Sequence, residues 1–414
     1  MTQWTPEWSL TVDGGQDYTN LTLANLTITS GRTDIYSQPR AGYCSIEIIN
    51  LDLSPINIDV NDSVTIKVKD STGTFVNIFG GYATDIEVAV DTTGTNGVNE
   101  RIRITALGAL SKLPKTLTNG VLSKDEDGDQ IYTILSAALF SSWDQLSSSL
   151  TWAGYNPTTT WANAANSGLG NIDRPGNYEL TARSSAVTDM YSLVAALATS
   201  GLGYLYEDAQ GRIGYADSTH RSSYLASNGY TDLSGNQALS QGIRTIRRIG
   251  DIRNKVTITY KANAQATATD AASVAQYGPQ AQEITTSLEN GADATAQANF
   301  YLGIRANPQD IFESITFSLG NPELDDADRD ALLNVFMGLP VNIQDLPSNM
   351  VNGRFQGFVE GWTFRAGYNR LDLTLNVSPT AFSLQSMQWE DVGAGETWNT
   401  INTSLEWLDA TIVS

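Results

Sequence analysis

Histidine, cysteine and clustered carboxylates are the side chains best able to do chemistry at neutral pH, and this chain holds few in useful patterns. His220 is the only histidine, in the polar run Asp217-Ser218-Thr219-His220-Arg221 just after a predicted hairpin. A Ser-His-Asp site needs its imidazole within hydrogen-bond reach of a nucleophile, and a polar loop predicts a solvated histidine instead. Cys44 is the only cysteine, so no intrachain disulfide can form, and its alternating strand predicts a small buried core residue. Neither an HExxH nor a CxxC pattern occurs, so no zinc site is expected. Asp125-Glu126-Asp127-Gly128-Asp129 is the densest acidic cluster, but its glycine comes too early for an EF-hand loop. It reads as a solvated turn ahead of a helix whose N-terminus favours acids, as does Asp325-Asp326-Ala327-Asp328-Arg329-Asp330. Gly201-Leu202-Gly203 follows a helix rather than opening one, so it is not a phosphate loop. No local pattern marks a pair of carboxylates for glycoside hydrolysis. The expectation is a chain that is not an enzyme, with no catalytic residue, cofactor or metal.

The elements that would position any site are mostly strands. In Ser63-Val64-Thr65-Ile66-Lys67-Val68-Lys69 the valines and the isoleucine share one face while Thr65, Lys67 and Lys69 face water. Similar alternation at 9–13, 21–29, 43–49 and 101–106 predicts a β-barrel or sandwich over residues 1–115. After Pro114 the character changes. Ile131, Ile134, Leu135, Ala138 and Leu139 recur at helical spacing behind Asp129. A second helix is expected near 188–199, ended by Gly201 or Gly203, followed by a hairpin from Tyr204 to Ala216. Residues 116–245 therefore read as a mixed α/β unit. Residues 246–380 return to strands around a helix near 292–305, and 381–414 form a distinct tail.

One pattern occurs twice. Phe79-Gly80-Gly81-Tyr82-Ala83-Thr84-Asp85 precedes the strand Arg101 to Ala106, and Phe355-Gln356-Gly357-Phe358-Val359-Glu360-Gly361 precedes Arg370 to Leu375. Each copy reads Phe-x-Gly-aromatic-small, then a basic residue opening an alternating strand. Phe79, Gly81, Tyr82, Phe355, Gly357 and Phe358 mark the repeat, and a duplicated β-unit implies two similar domains in one chain. Tryptophans recur nine apart at Trp389, Trp398 and Trp407, and again at Trp143, Trp152 and Trp161. The spacing suits a repeated short strand plus turn, and the C-terminal set is expected to dock on a neighbour.

Bulk properties narrow the function. At 414 residues several domains are expected. A net charge of −21, from 45 acidic and 24 basic residues, argues against stable nucleic-acid binding. It suits solubility, or a channel that repels a polyanion. No basic-then-apolar leader and no apolar run of membrane length is seen.

The layout resembles the baseplate or tail-tip hub proteins of tailed bacteriophages, including siphophage minor tail proteins and the N-terminal hub part of tail-associated lysins. The resemblance rests on Ile28-Thr29-Ser30-Gly31-Arg32, the Phe79 motif with Asp85-Ile86, and Leu193 to Tyr215 with Asp208-Ala209-Gln210-Gly211-Arg212-Ile213. Tyr277-Gly278 and Phe355 to Pro379 complete it. It implies two tube-type β-domains flanking a mixed α/β domain, in a homotrimer whose pseudo-sixfold ring continues a tail tube. It further implies a virion tail-tip location, with a distal tail protein, a tape measure protein and central fibre or other minor tail proteins as partners. No hydrolase domain is recognisable near residue 414, unlike the lysin members. Two rival expectations are a carbohydrate-binding adhesin using the tryptophan tail, and a peptidoglycan hydrolase without a familiar motif.

Overall fold

The computed structural model describes residues 4–139 and 169–380, apart from 14–15, 19–21, 34, 36, 51–54, 93–97, 240–244, 262, 309–310, 313, 349–352 and 368. The six tryptophans at 143, 152, 161, 389, 398 and 407 lie outside the described residues. The first part of the chain gives strands β1 (Trp8–Val12), β2 (Gln16–Tyr18), β3 (Thr22–Gly31), β4 (Tyr43–Asn50), β5 (Ser63–Lys69), β6 (Phe75–Thr92) and β7 (Val98–Leu107). The mixed part gives α1 (Asp127–Leu139), α2 (Met190–Ser200), β8 (Tyr204–Glu207), β9 (Ile213–Ala216), α3 (His220–Asn228) and β10 (Thr231–Ser234). It continues through β11 (Lys255–Tyr260), β12 (Ala264–Thr269), α4 (Ala271–Tyr277), β13 (Ala281–Thr285) and α5 (Gly291–Arg305). The last part gives β14 (Ile315–Ser318), α6 (Asp326–Leu333), β15 (Pro340–Gln344), β16 (Phe355–Gly367) and β17 (Arg370–Pro379).

Twelve strands form one continuous sheet, in the order β10-β15-β16-β3-β4-β7-β6-β5-β1-β2, with β17 beside β16 and β14 beside β17. Alternation builds it. Cys44, Ile46 and Ile48 of β4 and Ile102, Ile104 and Ala106 of β7 point inward, as do Leu371, Leu373 and Leu375 of β17. One hydrophobic core runs beneath both ends of the sheet. The fold is mainly β with helical insertions. Among the described residues the expected barrel or sandwich does not close into a barrel, because β2 and β10 each pair along one edge only. The two strand-rich parts also do not stand as separate bodies on either side of the mixed unit. They fuse edge to edge where β3 pairs antiparallel with β16, from Leu26 opposite Ala366 to Gly31 opposite Gly361.

A second core holds the mixed unit. Ile131 and Leu135 of α1 meet Val194 and Leu197 of α2, where Asp189 caps the helix by accepting from the Ser192 N–H at 2.8 Å. Val256 and Ile258 of β11 and Ala294 and Ala298 of α5 join the same core. The span 246–380 therefore divides its apolar residues between two cores. Distance in sequence hid this, since β11 and α5 lie far along the chain from α2.

A duplicated β-module and its ionic junction as candidate functional site

The two motif copies form hairpins of the same register. Phe79, Gly80, Gly81 and Tyr82 of β6 pair with Ile66, Thr65, Val64 and Ser63 of β5. Phe355, Gln356, Gly357 and Phe358 of β16 pair with Ile343, Asn342, Val341 and Pro340 of β15. Beyond the motif, β6 pairs with β7 and β16 with β17, and each central strand carries one extra residue, Thr84 or Glu360, at the same place. Such a bulge bends the strand and strengthens its twist. β4 flanks β7 as β14 flanks β17, with Ile46 opposite Ile104 and Ile315 opposite Leu375. Four strands are thus repeated, β4-β7-β6-β5 matching β14-β17-β16-β15.

The motif has a steric cause. A methyl on Gly81 would lie 2.4 Å from the Leu107 carbonyl oxygen and 2.7 Å from the Phe79 ring. A methyl on Gly357 would lie 2.2 Å from the Ser378 carbonyl oxygen and 2.8 Å from the Phe355 ring. The phenylalanine two residues earlier covers a bare Cα while the next strand crosses close, so only glycine fits. The following aromatic carries a cation in both copies. Lys112 Nζ sits 3.1 Å from the Tyr82 ring centre, and Arg221 Cζ 5.1 Å from that of Phe358. The basic residues that open the downstream strands are not equivalent, however. Arg101 faces Ala89, whereas the matching pair is Asp372 with Arg365. The bulge sets the register, and hairpin loops of different length offset the strand starts.

At Glu360 the modules and the mixed unit meet. Glu360 is 2% exposed and accepts from Arg32 Nε at 2.7 Å, from Arg221 Nη1 and Nη2 at 2.8 and 2.9 Å, and from the Ser378 hydroxyl at 2.5 Å. Arg32 follows β3, Arg221 lies on α3, and Glu360 sits in the β16 bulge. Burial alone would raise the Glu360 pKa, but the two guanidinium charges overcome it and hold the carboxyl down at about 2. Burial would likewise lower Arg221, and Glu360 reverses this into a rise. Gly31, at φ 83°, turns the chain so that the Arg32 N–H donates to the Glu360 carbonyl at 2.8 Å.

A second polar tie joins the mixed unit to the N-terminal module. The half-buried Glu207 carboxylate of β8 accepts the Gly42 and Leu110 N–H groups. Burial pushes its pKa up to about 7, against the pull of those donors. Nearby, the backbone of Gln210 and Gly211 packs where a Gly80 side chain would stand.

The residues first considered for chemistry hold structure together. His220 is not a solvated loop residue. It opens α3 with Nδ1 2.7 Å from Asp173 Oδ2, and only part of the pair is exposed. Asp127 is buried rather than solvated. It accepts the Asn177 and Tyr178 N–H groups at 2.8 Å and the Tyr215 hydroxyl, which fixes the start of α1. Asp325 caps α6 through the Asp328 N–H at 2.8 Å. Cys44 is buried in the core. Among the described residues, no three or more His, Cys, Asp or Glu side chains are grouped to hold a metal ion. Nor is any helix among them long and apolar enough to cross a membrane. Sequence reading missed Arg32, Arg221, Glu207 and Glu360. For Glu360 a signal existed, a lone carboxylate inside the apolar run Phe358-Val359-Glu360-Gly361-Trp362.

No protein-family model and no curated protein sequence matches this chain. Solved structures do. The 43 kDa tail protein of prophage MuSo2 from Shewanella oneidensis aligns with a TM-score of 0.55 at 12% identity, over 92% of this chain and 99% of that one. A tail protein from Neisseria meningitidis MC58 aligns with a TM-score of 0.57 at 12% identity, over 92% and 98%. The fold is that of phage tail proteins, over nearly the whole length of both neighbours.

Proposed function

We propose that the chain is a non-enzymatic hub of a phage tail tip, assembling as a homotrimer whose six β-modules form a pseudo-sixfold ring on the tail tube. The observation that carries this is an unequal treatment of equivalent strands. In the C-terminal module the second half of β16 pairs with β3, and Phe364 and Ala366 beneath it are 0% and 6% exposed. In the N-terminal module the same half of β6 has no partner on that edge among the described residues, and the matching Val88 and Val90 are 57% and 58% exposed. An open edge over exposed apolar side chains is a site for strand addition. The matching donor is the place beside β14 that β3 takes beside β4. Ala238 lies opposite Phe317 there, and Thr245 and Ile246 lie opposite Phe312 and Ile311. Each chain would offer this segment to the next chain's β6, repeating between chains the β3–β16 seam within one.

The face of the sheet away from the core suits a DNA channel. Among the described side chains of β17, β16, β4, β7 and the second half of β6 it carries four arginines (Arg101, Arg103, Arg365, Arg370) and four carboxylates (Glu47, Asp85, Glu87, Asp372). Arg103 pairs with Glu47 at 3.2 Å and Glu87 at 3.7 Å, and Arg370 with Asp372 at 2.6 Å. Hydroxyls fill much of the rest, with Thr29 3.4 Å from Thr363 and Thr316 2.9 Å from Thr374. With no cation excess, such a wall would let phosphates pass without holding them. A distal tail protein above, the tape measure protein, and central fibre proteins below complete the reading, with Trp389, Trp398 and Trp407 as a docking tail.

The test is a disulfide between Glu87→Cys and Thr245→Cys, the counterparts of Thr363 and Thr29. Oxidation should give covalent dimers and trimers that stop at three chains, while either single variant gives none. A ladder beyond three chains, or no intermolecular product in assembled tails, would overturn the ring.

A further inference from the structure

Leu117, Val121 and Val187 are 69%, 63% and 70% exposed, more than any other large apolar side chain among the described residues. They stand on a two-stranded ribbon of the mixed unit. Leu117 and Thr118 pair antiparallel with Asp189 and Thr188, and the Ala186 N–H donates to the Asn119 carbonyl at 3.0 Å. This register puts Val187 opposite Asn119 and diagonal to Leu117 on one face. Leu122 turns the other way, into the second core with Met190 and Leu193 of α2. The Arg183 guanidinium holds the ribbon in shape by donating to the Asn119 and Gly120 carbonyls at 2.8 Å and to that of Ala186 at 2.9 Å. The rim of this apolar patch is cationic. Lys115 is exposed and pairs with no carboxylate among the described residues, and Lys112 lies over the Tyr82 ring. Arg183 adds a third charge, met by carbonyls. Against them stands Asp189, which accepts the Ser192 N–H. The ribbon's other carboxylates, Asp125, Glu126 and Glu179, lie at its far end, where Glu179 holds Lys124 at 3.0 Å. From Val121 to Asp125 is about 13 Å along a strand, beyond a screening length of about 8 Å.

Such a patch suits an occupant that is both aromatic and acidic, and the chain carries one. Residues 381–414 hold Trp389, Trp398 and Trp407 together with Glu390, Asp391, Glu396, Glu406 and Asp409, and no lysine or arginine. Residues 140–168 carry tryptophans at the same spacing, but Asp144 is their only charged residue. Chain length also permits the contact. Ser378 donates to Glu360, Glu360 holds Arg221, and Arg221 Cζ lies 4.7 Å from the Tyr204 ring centre. Tyr204 follows α2, whose other end is capped by Asp189 beside the patch. That helix is about 16 Å long, whereas the stretch from Thr380 to Trp398 extends up to about 60 Å. We propose that Leu117, Val121 and Val187 form the docking site for residues 389–409 of the same chain. The indoles cover the apolar side chains, and the carboxylates beside them meet Lys112 and Lys115. The docking tail of the preceding reading thus has a resting place on its own chain before a partner takes it. The inference does not need the ring, since patch and tail belong to one chain.

Photo-crosslinking in the full chain tests it, with p-benzoylphenylalanine in place of Val121 and the captured peptide identified by mass spectrometry. Irradiation should join position 121 to a peptide from 381–414, in a product with the mass of one chain. The same probe in place of Val60, exposed on a different loop, should capture no tail peptide. Val187→Asp should lower the capture about fivefold by removing apolar contact. Lys115→Glu should lower it about threefold at low salt, and hardly at all at about 1 M salt, where the screening length is about 3 Å. Both substitutions are at exposed positions, so the fold is kept. Capture of a 140–168 peptide instead, capture only in products of two or more chains, equal capture from position 60, or no capture would overturn the proposal.

Discussion

At the extra residue of its central strand the N-terminal module carries Thr84 and the C-terminal module Glu360. The Thr84 hydroxyl needs only the Thr105 carbonyl and the Asp85 carboxylate, at 3.2 and 2.9 Å. Glu360 gathers two arginines from elsewhere in the chain and fixes α3 against the sheet. The modules thus share strands, register and bulge but differ in what rests on them. One bulge is a seat for the mixed unit, and the other is not. Beside them the edges also differ, one closed by β3 and one without a partner strand among the described residues. A duplicated framework can therefore hold one asymmetric insert per pair of modules.

Removing the seat should have the largest effect. Glu360→Ala leaves Arg32 and Arg221 buried without their counter-charge and should cost about 3–5 kcal/mol in urea unfolding. Replacing all three by apolar residues of similar volume should recover most of that loss. Both outcomes would fail if the junction were solvated.

Phe364→Ala should cost about 3–5 kcal/mol, whereas Val88→Ala at the matching position should stay within about 0.5 kcal/mol in a lone chain. A large Val88 effect that depends on protein concentration would show that the open edge is already filled. In both copies, Gly81→Ala and Gly357→Ala should destabilise by roughly 1–3 kcal/mol, because the same carbonyl blocks each methyl. Unequal losses would mean that the shared register does not set the shared motif.

Glu360 and the half-buried Glu207 should respond to pH in opposite directions. Glu360 is held below its ordinary value, so its contribution is full above about pH 4.5 and fades as pH falls toward 2. Glu207 is pushed up from 4.5 to about 7, so the folded chain favours its protonated form and stability falls as pH rises from about 4.5 through 7. Glu207→Gln should flatten the fall between pH 5 and 8, a change of up to about 3 kcal/mol. Thermal unfolding across that range would reveal it. The smallest effect belongs to Thr84→Glu, which should change stability by less than about 0.5 kcal/mol, because among the described residues no arginine pairs at that bulge as Arg32 and Arg221 do at Glu360.

Much of the framework was legible because its causes are local. Alternation in β4, β5 and β7 follows from a sheet with one buried face, and the helical spacing at 131–139 marked α1. The spacing of Phe, Gly and aromatic residues follows from one ring covering one bare Cα, so both copies were readable without a structure. The bulge was not, since an extra residue in a strand leaves no mark in composition. Nor was the difference in hairpin loop length, which offsets Arg101 from the position of Arg370.

By itself the sequence determined strands, helices, the duplicated motif and the scarcity of catalytic groups, each written in residues a few positions apart. Only the tertiary structure decided that β3 seals one module to the other. It alone brought Glu360 to Arg32 and Arg221, separated from it by 328 and 139 positions. The physical reason is that edge pairing and charge burial depend on which distant surfaces arrive together, and no local periodicity encodes that.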